Sequence, residues 1–269
     1  MSGAARPSPA AAAGRGVLFV LLALSAVVPL GLLVVWSVAG PWFYPALAPS
    51  TLTAESWRQV AGGDLAAAAV RSVALGAGTA LLGTAVGLPV GRALARLAGW
   101  RRRLGAALAF LPVAAPPVAL AVGVQLFFLR LGLGGTALGV LLAHAVPASG
   151  YLALYFLGVF AAHDPGPEEE ARTLGATARQ AFWRVTVPAL RRQVAEAAAL
   201  GFLVSWAQVA FTQLVGGGLV RTLPTEVFSY VRSGQDRYAA TGALLLSVPP
   251  LLALAAARVA ARRAAVAGP

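Results

Sequence analysis

The sequence contains no cysteine and few charged residues. Only 11% of its 269 residues are charged, whereas 59% are hydrophobic. The absence of cysteine excludes disulfide bonds and thiolate metal sites. A soluble domain of this length would carry about 25% charged residues. We therefore expect lipid, rather than water, to be the solvent around most of this chain.

The charge that is present is mainly basic and comes from arginine. The net charge is +12, and the two histidines are not spaced as metal ligands. A basic excess also occurs in nucleic-acid-binding proteins, but the long apolar runs favour arginines that flank membrane spans and face anionic lipid. We predict a lipid membrane as a partner, and neither nucleic acid nor a metal ion.

Six apolar segments are long enough to cross a bilayer, which takes roughly 20 residues of helix. They are residues 17–39, 65–90, 104–129, 136–160, 194–215 and 238–260. The glycine-rich stretch RLGLGGT between the third and the fourth predicts a tight hairpin. The predicted fold class is all-α, a polytopic membrane protein with about six transmembrane helices.

The first apolar segment has two interpretations. Arg15 precedes it, and Ser37, Val38 and Ala39 resemble the cleavage site of a signal peptide. An apolar run of about 22 residues exceeds the roughly 7–15 of a signal core, which favours an uncleaved span. The predicted organisation is a cytoplasmic tail over 1–16, a first transmembrane helix over 17–39, a core of five helices over 65–261 and a cytoplasmic tail over 262–269.

The distribution of arginine predicts the orientation of the helices. With the N-terminus inside, 15 of the 21 basic residues fall in cytoplasmic segments. Basic residues are enriched on the cytoplasmic side of membrane proteins. Both termini and the segment 161–192 are therefore predicted to be cytoplasmic. The predicted location is the cytoplasmic membrane of a bacterium or archaeon.

The cytoplasmic segment between the fourth and fifth spans is charged and has helical periodicity. Apolar residues recur every three or four positions between residues 171 and 185, and arginines occupy the other face. Pro167 and the glutamates after it suit a helix start, Gly175 permits a sharp turn, and Pro188 marks a bend. One interpretation is an amphipathic helix on the membrane surface, and the other is a helix-turn-helix that docks in a partner's groove.

This segment resembles a motif of the permease subunits of binding-protein-dependent ABC importers. The family motif is glutamate-alanine-alanine, three residues, glycine, nine residues, then isoleucine-x-leucine-proline. Here Glu169, Glu170 and Ala171 are followed by Gly175 and, nine residues later, by VTVP, which ends at Pro188. Glu170 replaces an alanine, and valines replace isoleucine and leucine. The stretches FLPVAAPPVALAVG and GGGLVRTLPTEVFSYV are also similar to this family.

The resemblance implies a type I importer permease, a non-catalytic subunit that forms half of a translocation pore. It implies a dimeric ATPase partner that binds ATP and magnesium, a second permease subunit, identical or homologous, and an extracytoplasmic solute-binding protein. The chain has no GxxxxGK[ST] loop, so we expect no cofactor in it. The implied ATPase-coupling residues are Glu169, Glu170, Ala171, Leu174, Gly175, Phe182, Val185 and Pro188. Of these, Leu174 and Phe182 are expected to be the apolar anchors.

Polar side chains inside the spans are candidates for the translocation path, because they are unfavourable in lipid. The candidates are Gln125, Ser205, Gln208, Thr212 and Gln213. Hydrogen bonding between helices is the alternative role for each of them. His144, near Pro147, is expected instead to satisfy a loosened backbone carbonyl.

Two other classes of protein are open at this point. A channel or secondary carrier would have a merely interfacial cytoplasmic segment, but the spans lack the central acidic groups typical of proton or sodium coupling. A membrane enzyme would need a nucleophile with its base, or a metal constellation, and the sequence offers neither. Among importers, the stretch 205–208 resembles the branch that moves polyamines, thiamine, ferric ion or sulfate.

Overall fold

The computed structural model describes residues 9–43 and 45–266, and this part of the chain is helical, without a β-sheet. Part of the N-terminal tail predicted over 1–16 lies outside the described residues, and the rest belongs to the first helix. The C-terminal tail predicted over 262–269 is helical as far as Val266, and its last three residues also lie outside the described part.

The helices are numbered in chain order. They are α1 Pro9–Val38, α2 Glu55–Gly62, α3 Asp64–Arg96, α4 Gly99–Ala114, α5 Pro117–Arg130, α6 Ala137–Ala162, α7 Gly166–Thr173, α8 Ala178–Ala181, α9 Val187–Ala189, α10 Arg191–Trp206, α11 Ala210–Gly216, α12 Leu223–Arg232 and α13 Asp236–Val266. A π-helical turn, Phe182–Thr186, joins α8 to α9.

Among the described residues, four helices are long and apolar enough to cross a membrane singly, namely α1, α3, α6 and α13. Two bent pairs raise the number to six: α4 with α5, at 95°, and α10 with α11, at 62°. The predicted all-α fold with about six spans is therefore confirmed. The third and fifth predicted spans, however, are each two helices rather than one.

The two breaks have different causes. Ala115 and Pro116 adopt extended backbone angles between α4 and α5. A residue that precedes proline is disfavoured in the helical region, so the Pro116-Pro117 pair accounts for this break. The break between α10 and α11, at residues 207–209, contains neither proline nor glycine. There the Thr212 hydroxyl donates to the carbonyl of Gln208, 3.1 Å away.

The chain divides into two compact units. The first contains residues Met1–Gly63 and Val227–Leu245. Within it, the segment after α1 is fastened back to the end of that helix: the Ser56 hydroxyl donates to the Ser37 carbonyl at 2.6 Å, and the Gly40 amide donates to the Thr51 carbonyl at 2.7 Å. The Ala39–Leu52 bridge lies in the same place.

The second unit contains Asp64–Glu226 and Leu246–Pro269, and α3 packs against α6 and α10 within it. Three glycines of α3, at positions 83, 87 and 91, are buried against α6. Their lack of a side chain lets the two backbones approach closely, as small residues do in membrane helix pairs. The predicted hairpin between the third and fourth spans is present: Gly132 and Gly135 have positive φ angles, 69° and 72°.

Candidate functional site: a charged helix–turn–helix segment

The motif-bearing residues form a helix–turn–helix, which we call the charged segment (residues 166–188). Its first helix, α7, carries Glu168 and Glu169 in its first turn, where acidic groups complement the helix dipole. Gly175 has a φ of +94°, so it supplies the predicted turn between α7 and α8. Thr177 and Gln180 form a reciprocal capping box at the start of α8. The predicted helix–turn–helix geometry is confirmed, whereas its docking in a partner's groove stays a prediction.

The π-helical turn after α8 carries both inward-facing and outward-facing side chains. Phe182 and Thr186 are buried, whereas the side chain of Trp183 is 55% exposed. The expectation that Phe182 is an outward apolar anchor is therefore wrong: its ring, 9% exposed, belongs to a cluster with Leu88 and Phe156. Sequence reasoning did not single out Trp183.

The outward face combines acidic and apolar groups with arginines. Glu169 and Glu170 are exposed near the start of α7, and Leu174 is 83% exposed beside the turn. The exposed arginines of the segment are Arg172, Arg179 and Arg184. Ala171 and Val185 are half-buried. Pro188 is exposed in α9, just before α10 begins.

The inward face is organised around Glu168. One of its carboxylate oxygens pairs with Arg92 and lies 3.6 Å from Arg96, both on α3. The other accepts a hydrogen bond from the Thr186 hydroxyl at 2.6 Å. The guanidinium carbon of Arg92 lies 4.0 Å from the centre of the Phe182 ring, within the range of a cation–π contact. No local pattern in the sequence reveals this cluster, because Arg92 and Glu168 are 76 residues apart.

Two of the five candidate path residues, Ser205 and Thr212, form hydrogen bonds within the protein. His144 is buried on α6, with Nδ1 2.8 Å from Ser205 Oγ and Nε2 2.9 Å from Thr212 Oγ1. Because the Thr212 hydroxyl donates to the Gln208 carbonyl, it accepts from Nε2–H, and Ser205 donates to Nδ1. In this arrangement of a neutral histidine and two hydroxyl groups, both ring nitrogens and both hydroxyls have a hydrogen-bond partner. Ser205 and Thr212 thus make interhelical hydrogen bonds, and their place in the translocation path stays a prediction. Both ring nitrogens of His144 bond to hydroxyl groups, so the expectation that His144 satisfies a backbone carbonyl loosened near Pro147 is wrong.

The other three path candidates are glutamines. Gln208 lies in the break between α10 and α11 and is half-buried. Gln213 is exposed on α11, and Gln125 is half-buried on α5, which packs against α11. The fold thus places all three on or between helices of the two bent pairs. Their role in translocation stays a prediction.

Replacing His144 with leucine is expected to destabilise the protein by about 2–4 kcal/mol, because two buried hydroxyl groups each lose a partner at about 1–3 kcal/mol. Thermal unfolding in detergent measures this. His163→Leu, at the end of the same helix, is the matched control and is expected to change stability by about 0.5 kcal/mol at most. The triple variant H144L/S205A/T212V should recover part of the loss. Equal melting temperatures for the two single variants would contradict the network.

Comparison with known proteins assigns the family. The sequence profile of the family described as "binding-protein-dependent transport system inner membrane component" matches residues 83–266. The molybdenum transport system permease protein ModB of Mycobacterium tuberculosis is 31% identical over 215 residues, which cover 74% of this chain and 81% of that protein. The trehalose transport system permease protein SugB of the same species is 29% identical over 213 residues, 76% of each chain.

The fold also matches a solved structure. A chain in the crystal structure of a bacterial ABC transporter involved in the import of the acidic polysaccharide alginate superposes with a TM-score of 0.71 at 15% identity. The match covers 95% of this chain and 99% of that one. Together these results define a multi-pass permease subunit of an ABC importer. The chain belongs to the family of binding-protein-dependent transport system inner membrane components.

Proposed function

We propose that this chain forms half of an import pore. Its charged segment binds a partner ATPase and transmits the conformational change driven by ATP hydrolysis to the membrane helices. The observation that carries the proposal is the exposed face of that segment, with Leu174 and Trp183 as apolar anchors among acidic and basic groups. An apolar centre within a charged rim is typical of a protein interface. Glu169 and Glu170 would pair with basic groups of the ATPase, and Gly175 would hold the turn that presents them.

The partners follow from this role. A dimeric ATPase subunit binds ATP and magnesium, and this chain itself takes no cofactor. A second permease subunit, identical or homologous, completes the pore, and an external binding protein delivers the solute. Both termini and the charged segment face the cytoplasm, in keeping with the arginine distribution.

The proposed substrate is a small polar solute, an oxyanion of the sulfate or molybdate kind or a polyamine. Relatives are named for molybdenum, for trehalose in SugB and, in PotC of Haemophilus influenzae, 26% identical over 167 residues, for spermidine and putrescine. Thiamine and ferric ion, from the same branch, come next. The candidate path residues Gln125, Gln208 and Gln213 are neutral amides. Solute choice therefore rests mainly with the binding protein, since amides donate and accept hydrogen bonds without selecting a charge.

The test is reconstitution of the chain in proteoliposomes with the ATPase subunit and binding protein encoded beside it. We expect the ATPase to co-purify with this chain and its hydrolysis rate to rise when the loaded binding protein is added. Uptake of radiolabelled molybdate, sulfate and spermidine then identifies the substrate class. If the neighbouring ATPase neither binds this chain nor is stimulated in its presence, the proposed function is wrong.

A further inference from the structure

Glu168 differs from the two glutamates that follow it. Glu169 and Glu170 are exposed on α7, whereas the Glu168 side chain is only 11% exposed. Both of its oxygens are engaged, one by arginines of α3 and the other by the Thr186 hydroxyl. One carboxylate thus joins α7 and the π-helical turn of the charged segment to α3, which is distant in sequence.

The arginine opposite Glu168 is held as firmly as the carboxylate. The Arg92 side chain is 16% exposed and is stacked against Phe182 of the π-helical turn. Leu88, one turn earlier on α3, lies in the same apolar cluster as Phe182. An apolar contact and an ion pair therefore fasten the charged segment to the same end of α3. Removing one partner of a buried ion pair leaves an uncompensated charge, so such a pair resists separation.

Without the contacts among Glu168, Arg92 and Phe182, the charged segment would be attached to the rest of the second unit mainly through its two chain ends. Residues 163–165 before α7 are not helical, and the short α9 leads into α10. A non-helical linker extends or bends when the segment is displaced, so it passes on little of the movement. α3, by contrast, is a continuous helix of 33 residues that packs along both α6 and α10. A displacement of its end is therefore transmitted to the helices of the second unit that pack against it.

We propose that Glu168 is a positioning residue that locks the charged segment to α3, so that a displacement imposed by the ATPase enters the membrane through α3 and not only through α10. This inference rests on the proposed function. Arg92 is the principal partner of Glu168, Thr186 fixes the second carboxylate oxygen, and Arg96, 66% exposed in its side chain, contributes less. Glu168 contacts the segment and α3, and needs no contact with the ATPase.

The lock itself is tested on the isolated chain by hydrogen–deuterium exchange in detergent. Glu168→Gln keeps the size of the side chain and removes its charge. We expect amide exchange over residues 166–188 to accelerate roughly 5- to 10-fold, with exchange in the middle of α6 unchanged. Glu169→Gln, at the neighbouring exposed position, is the matched control for the helix-dipole effect and should leave exchange within about twofold of wild type. Equal exchange in the two variants would overturn the lock.

The transmission role is tested in the complete transporter by the number of solutes imported per ATP hydrolysed. Glu168→Gln and Arg92→Gln should each lower this ratio roughly 5- to 10-fold while the ATPase still co-purifies. The double variant should be no worse than either single variant, because no unpaired charge is left. Arg102→Gln, an exposed arginine on α4, is the control of equal charge change and should keep the wild-type ratio.

The two failures are distinguishable. A wild-type ratio in Glu168→Gln, within a transporter that works, overturns the transmission role and leaves the proposed function intact. A wild-type chain that binds no ATPase overturns both, whatever the exchange experiment gives. A loss of thermal stability in Glu168→Gln with no change in the ratio would show that the cluster only supports the fold.

Discussion

Replacing Gly87 with leucine is expected to prevent this chain from accumulating in a folded form. A Cβ atom on Gly87 would lie 2.6 Å from the Cβ of Leu152, 2.9 Å from its carbonyl carbon and 3.0 Å from the amide nitrogen of Ala153. Two of these three atoms are backbone, so rotation of a side chain cannot relieve the contact. Separating α3 from α6 would remove the packing around Leu152 and Phe156, which are both completely buried.

The expected destabilisation is about 3 kcal/mol or more, the upper part of the range for an overpacked core. Fluorescence-detected size exclusion and thermal unfolding of the solubilised chain measure it. Gly123→Leu is the matched control, because a Cβ there meets no atom within 4 Å and the residue also lies in an apolar helix. Gly91→Leu should behave like Gly87→Leu, since its Cβ would lie 2.7 Å from the Leu157 amide nitrogen. A folded yield for Gly87→Leu equal to that of Gly123→Leu would contradict the proposed packing.

The sequence predicts the spans well because span length is a physical requirement. A helix needs roughly 20 apolar residues to cross the bilayer, and six such runs are present. The turn at Gly175 is equally readable, because a motif spacing and a residue that tolerates positive φ coincide there. The bend at Pro116 and Pro117 also has a local signal, a pair of prolines, although the predicted span runs across it.

The features that sequence reasoning misses depend on distant contacts or on a turn that reorients neighbouring helices. The apolar pattern groups Phe182 with Leu174, but the turn at Gly175 separates the two helices, and Leu174 is 83% exposed whereas Phe182 is buried. The break after Trp206 has no proline or glycine, and Thr212, which caps a carbonyl within the break, is bonded in turn to His144, 68 residues away. The pairing of Glu168 with Arg92 also joins residues that are far apart in sequence. Counting the arginines of each segment, which predicts the orientation, does not reveal it.

Replacing Trp183 with alanine is expected to weaken the binding of the ATPase subunit by roughly 30-fold or more, without unfolding the chain. Tryptophan is among the residues that dominate interface energies, at about 2 kcal/mol or more for a hot spot. Because the Trp183 side chain is 55% exposed in this chain, its removal leaves no cavity in the core. Binding is measured by titrating the purified ATPase subunit against the permease in nanodiscs. Leu174→Ala should act in the same direction with a smaller effect, because it removes less apolar area.

Trp100→Ala is the control for this experiment. Trp100 is a tryptophan of similar exposure, 68%, at the start of α4 and outside the charged segment. If both variants bind the ATPase with wild-type affinity, Trp183 is not an anchor, and the exposed face of the segment would fit a membrane surface better than a protein groove. If only Trp183→Ala loses affinity, the neighbouring rings of the π-helical turn have separate roles. Phe182 packs inward against Arg92 in the lock, and Trp183 contacts the partner at the interface.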